Sequence, residues 1–187
     1  MNLRTVWHLI AENKLSEAIN WCETELKKSS NPSDKLFIDR NLDHLIIPLK
    51  NWLDKFYKRV SDNITVKSMY CEMNGFTINP DLWFADLFAY DNYQGLTDID
   101  WLADWKKENA TIQDSFIITG LEDLQKEYEK NGEGSLICNF VIILLFQDLF
   151  KKAVDKARQE NLPWTNIPII VTAHDWELIY QTTNGSV

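Results

Sequence analysis

The stretch Thr65-Val-Lys-Ser-Met-Tyr-Cys-Glu-Met73 decides what kind of fold this chain adopts. Met69, Cys71 and Met73 alternate with Ser68, Tyr70 and Glu72, the period of a half-buried strand. Upstream of Asn63 the period is helical instead. Val6, Ile10, Leu15, Ala18, Ile19, Cys22 and Leu26 share one helical face, with a turn at Asn13-Lys14. Asn31-Pro32 reads as an N-cap followed by proline at the first helical position. Leu42, Leu45, Ile46, Leu49, Leu53, Phe56 and Val60 form a stripe at helical spacing, which Pro48 must kink or divide near Ile47.

Downstream, Asn74-Gly75 and Asn79-Pro80 mark turns. Leu82 to Tyr90 is apolar on both faces apart from Asp86, which predicts a central strand. Thr97 is expected to cap a short helix from Asp98 to Lys107, with Asp98 and Asp100 in its first turn. Ser115 to Thr119 reads as a brief strand. Thr119-Gly-Leu-Glu122 has the pattern of a capping box for a helix through Lys130, closed by Asn131-Gly132. The longest helix runs from Ser135 to about Glu160, apolar all round at first. Ile167 to Tyr180 supplies one or two closing strands, bent at His174-Asp175. The prediction is a single α+β domain over residues 1–187. Residues 1–60 form its helical N-terminal part, and residues 61–187 a small, mostly antiparallel sheet packed on a long buried helix.

Composition limits the function. The 187 residues are 45% hydrophobic and 12% aromatic, which excludes disorder and low complexity. The net charge of −9 argues against nucleic acid or an anionic membrane as the main partner. That charge is concentrated: residues 61–133 hold 15 acids and 5 bases. The longest apolar run, Leu136 to Phe146, is about half a bilayer span, so no membrane crossing is expected. Cys22, Cys71 and Cys138 are scattered, with no CxxC pair. Arg4, His8, Glu12 and Lys14 break the N-terminal apolar run, unlike a signal peptide, and the expected compartment is the cytoplasm.

Between Tyr70 and Trp105 lie nine aromatic rings interleaved with seven carboxylates. One strand and one short helix cannot bury every ring while keeping every carboxylate wet, so some rings belong at the surface. The expected partner-binding residues are Tyr90, Asp91, Tyr93, Asp98, Asp100, Trp101, Asp104 and Trp105. Surface Tyr and Trp act as interface anchors, and an acidic rim speeds encounter with a basic protein partner. In size, charge and aromatic-acid content the chain resembles bacterial immunity proteins, which neutralise a toxin by covering its basic cleft. No motif matches them residue by residue.

Catalytic signals are sparse. The alternative is a metal-assisted hydrolase built on Asp86, Asp91, Asp98, Asp100 and Asp104, although their spacing fits no calcium loop. Cys71 or Cys138 with His174 and Asp175 is the other arrangement, but adjacent residues of a strand point apart. No Cys/His pair has zinc-ligand spacing. Gly132-Glu-Gly-Ser135 precedes a helix but lacks the GK[ST] of a phosphate loop. No catalytic residue, metal ligand or cofactor is therefore assigned.

Overall fold

The computed structural model describes residues 3–75, 81–132 and 134–183. Phe76 and the Asn79-Pro80 turn lie outside the described residues. Helices α1 (Arg4–Ala11) and α2 (Leu15–Lys28) are joined by Asn13, whose φ of 59° is a left-handed conformation that Asn tolerates. Asn31 caps as expected, accepting the Ser33 N–H at 3.2 Å. The helix it opens is a 3-10 helix, Pro32–Phe37, whose three-residue turn puts Asp34 and Phe37 together on the buried side. The stripe interrupted by Pro48 divides rather than kinks. A 3-10 turn, Asp43–Leu45, precedes α3 (Ile46–Ser61), so Pro48 sits in the first turn, where its missing N–H leaves no bond unmade.

Five strands form one mixed sheet in the order β3-β2-β1-β4-β5. They are β1 (Ser68–Asn74), β2 (Phe84–Tyr90), β3 (Phe116–Ile117), β4 (Ile169–Ala173) and β5 (Tyr180–Gln181). Three pairings are antiparallel, and β1 with β4 is parallel. Strand β1 is the middle of the sheet, and β2 is an interior neighbour.

The register sorts side chains cleanly between the faces. Met69, Cys71 and Met73 stand opposite Ala89, Leu87 and Ala85 on one side, and Ile169, Val171 and Ala173 on the other. All nine belong to the main hydrophobic core with α5 (Leu136–Gln159). Ser135 caps α5 by accepting the Cys138 N–H, and every residue from Ile137 to Phe150 is buried. Gln147 ties this helix to the sheet side, donating to Val171 O at 3.2 Å and Leu178 O at 2.7 Å. No helix of the described residues is long and apolar enough to cross a membrane.

Helix α4 (Glu122–Asn131) is capped differently from the expected box. Leu121 is the N-cap, and both carboxylate oxygens of Glu122 accept the Gly120 N–H at 2.9 Å. Thr119 Oγ1 lies 3.3 Å from His44 Nε2. Gly120 is required here: its φ is +91°, and a Cβ would stand 2.7 Å from the His44 ring.

The helix expected over Asp98–Lys107 does not form. In its place stand two 3-10 turns, Asp100–Ala103 and Lys107–Asn109. An α-helix would need Leu102 O for the N–H of residue 106. That carbonyl instead accepts the Tyr90 hydroxyl at 2.6 Å. Asp98, rather than Thr97, makes the local cap, accepting the Asp100 N–H at 3.0 Å.

Candidate functional site

The other face of the sheet carries Ser68, Tyr70 and Glu72 of β1 opposite Tyr90, Phe88 and Asp86 of β2. It is covered by residues 91–115. Strands β2 and β3 are hydrogen-bonded antiparallel neighbours, a connection that normally needs two to five residues. A much longer irregular connection is more often functional than structural. This one is well tied. Ser68 Oγ donates to Asn92 O at 2.6 Å, and Tyr93 OH to Gln181 Oε1 at 2.7 Å. Arg59 donates to Glu108 O and Ala110 O at 3.0 and 2.8 Å, and Trp52 Nε1 to Asp114 O at 2.9 Å.

The eight residues expected to bind a partner divide into three groups. Asp91, Asp98, Asp100 and Asp104 are all exposed, and Trp105 is 40% exposed with its ring tilted on Phe88. Tyr93 is half-buried. Tyr90 and Trp101 are 5% and 6% exposed and belong to a second hydrophobic cluster with Phe88, Leu102, Ala110 and Ile170. Their expected place at the surface is corrected. Strand alternation points Tyr90 onto this face, and Trp101 fills the gap above it, ring to ring at 5.1 Å. Both polar handles are satisfied internally, Trp101 Nε1 by donating to Gly95 O at 3.1 Å.

Three further residues escaped the reading of the sequence. Leu96, Ile99 and Ile112 are exposed large aliphatics on the same cover. The signal was present: apolar side chains beside or near aspartates in an acidic segment. Beside Ile112 opens a cavity of about 580 Å³, bounded by Arg59, Lys107 and Asp114.

A second polar group occupies the far end of this face. Glu72 and Asp86 stand directly opposite on β1 and β2, a like-charge pairing that destabilises a sheet. Glu72 Oε1 accepts the Tyr70 hydroxyl at 2.9 Å and lies 3.2 Å from His174 Nδ1. Asp86 accepts from Ser115 Oγ at 2.5 Å and Asn74 Nδ2 at 3.2 Å. Burial raises the pKa of Asp86, the charges of Glu72 and Asp114 add to this, and the two hydrogen bonds oppose it. His174 Nε2 comes within 3.6 Å of Asp175 Oδ2, contrary to the expectation that they point apart. Asp175 has a φ of 61°, so the chain turns there rather than continuing as a strand.

The chain matches no protein-family model, no curated protein and no solved structure. Function has to be read from the side chains themselves. All three cysteines are free and buried. Burial pushes the Cys138 thiol up to about 11 and Cys22 up to about 12, and holds Cys71 well above the ordinary range. None is a thiolate at neutral pH. Among the described residues no three His, Cys, Asp or Glu side chains converge as a metal-binding group.

Proposed function

We propose that this protein binds a basic protein partner through the cover, residues 91–114, without catalysing a reaction on it. One observation carries the reading: Trp105, Leu96, Ile99 and Ile112 are exposed on a tied, irregular segment among Asp91, Asp98, Asp100 and Asp104. Residues 91–114 hold six acids and two bases. Apolar anchors inside an acidic rim suit a partner with a basic face, the rim acting on encounter and the anchors on residence. A toxin whose basic cleft is covered in this way is the kind of partner we have in view. Three free, buried thiols support a reducing cytoplasm as the place of action.

The test is retention of a stoichiometric basic protein from the source cell by the wild-type chain and by Trp105→Ala. Trp105→Ala is expected to lose about 2 kcal/mol of binding or more. Retention of the same partner at unchanged affinity would remove the reading.

The hydrolase alternative is favoured by a different observation, the buried Asp86 opposite Glu72, whose own carboxylate lies 3.2 Å from His174. A carboxyl with a raised pKa next to a second carboxylate suits acid–base work. Turnover dependent on an added divalent metal and abolished by Asp86→Asn would support it.

A further inference from the structure

Away from the cover, the 3-10 helix Pro32–Phe37, the C-terminus of α4 and the N-terminus of α5 border a cavity of about 340 Å³. Asp34, Phe37, Glu127, Tyr128, Asn131 and Ser135 line it, and none of them belongs to residues 91–114. The volume lies at the small end of the range of ligand sites. Asp34 decides what the cavity can take. It is 7% exposed, and no cation pairs with it among the described residues. Its Oδ1 accepts from Asn31 Nδ2 at 3.2 Å and from the Cys138 thiol at 3.5 Å. Its Oδ2 accepts no hydrogen bond among the described residues, yet it is not enclosed, and the opening it meets is this cavity. A buried carboxylate is ordinarily paired or fully hydrogen-bonded.

The donors around this carboxylate are spent on other partners. Asn131 Nδ2 bonds Glu127 Oε1 at 2.7 Å, Tyr128 OH bonds Asn139 Oδ1, and Ser135 Oγ bonds the Cys138 sulfur at 3.2 Å. Hydrogen bonds from Ser33 and Asn131 hold the Glu127 carboxyl below its ordinary value, so a second negative charge borders the cavity. The dipole ends of α4 and α5 that meet here are of opposite sign, which leaves the carboxylates to set the field. Phe37 and Tyr128, with ring centroids 6.0 Å apart, give apolar contact for a carbon skeleton beside the charge. We infer that this cavity is a binding site for a small organic cation whose N–H donors bond Asp34 Oδ2, a primary amine being the simplest case. Charge-assisted bonds of this kind are the strong ones. An anion would face two carboxylates. A metal ion would want more ligands, and among the described residues no three His, Cys, Asp or Glu side chains converge.

The experiment uses the full chain. Butylammonium chloride is titrated while the side-chain amide resonances of Asn31 and Asn131 are followed by NMR, against tetramethylammonium and sodium chlorides at the same ionic strength. Both resonances should shift saturably with butylammonium. Tetramethylammonium, which carries the charge without an N–H, should bind about tenfold more weakly or worse. Asp34→Asn keeps an acceptor for Asn31 and Cys138 but removes the charge, and should also weaken butylammonium binding about tenfold or more. Glu127→Gln should weaken it about threefold, the size of a solvent-screened pair. Glu129→Gln, at an exposed acid of α4 that does not line the cavity, should leave it unchanged. The absence of a saturable shift would overturn the site. So would an equal response to sodium or tetramethylammonium, or an equal loss from Glu129→Gln and Asp34→Asn, since each would mean general attraction to an acidic surface. If Asp34→Asn does not fold, the wild-type comparison of the three cations and the Glu127→Gln and Glu129→Gln pair decide the matter.

Discussion

On one face of the sheet, Met69, Cys71 and Met73 of β1 pack into a core filled by α5, and every neighbour in register is aliphatic. On the other, Tyr70, Phe88 and Tyr90 lie beneath a segment whose only regular structure is two 3-10 turns. The first face is closed by a helix that brings its own hydrogen bonds. The second is closed by bonds made across the sequence, Tyr90 OH to the Leu102 carbonyl, Tyr93 OH to Gln181 and a single backbone bridge between Phe88 and Ala110. A cover held in this way leaves its outer surface free of helical constraint, and that surface carries the exposed rings, aliphatics and acids.

The contrast predicts different responses to core truncation. Phe146→Ala, on the helical side, should destabilise the whole fold by about 3–5 kcal/mol. Trp101→Ala should act first on the cover. Amide hydrogen exchange would lose protection in residues 91–110 while α5 keeps it, because a cover without a regular ladder opens locally. Uniform loss of protection in both regions would mean that the two faces unfold as one unit.

A smaller effect is expected at Asp86. Its folded pKa is raised, so the contribution it makes while protonated is present below the ordinary carboxyl value of about 3.9 and fades as pH rises through the folded value. Asp86→Asn cannot ionise. It should be more stable than the wild type at pH 7, with the gap closing in acid, as read from thermal unfolding at several pH values. An acid-independent difference would show that the Glu72–Asp86 pairing is not electrostatically strained. Smallest of all, Asp98→Asn should leave stability nearly unchanged, since Asn can still cap the Asp100 N–H.

Local signals in the chain were enough for most of the frame. Alternation over Ser68 to Met73, the helix start at Ser135 and the turn at Asn13 depend on neighbours within a few residues, and each has its counterpart in the fold. The expected helix over Asp98–Lys107 failed because its deciding partner, Tyr90 OH, belongs to a strand. The burial of Tyr90 and Trp101 escapes the sequence for the same reason: only strand pairing shows which rings a sheet face needs. The Glu72–Asp86 pairing depends on register across a turn, and a strand's period does not fix which residue it faces. Exposure of Asp91, Asp98, Asp100 and Asp104 needed no such knowledge, since four carboxylates cannot be buried unpaired.

The most direct test of the cover as a docking surface is the association rate of the captured basic partner, measured against salt. The comparison is between the wild-type chain and a variant carrying Asp98→Asn, Asp100→Asn and Asp104→Asn together. An acidic rim that steers encounter predicts slower association at low salt, a flatter salt dependence and a dissociation rate nearly unchanged. Association at the wild-type rate and with the wild-type salt dependence would contradict it.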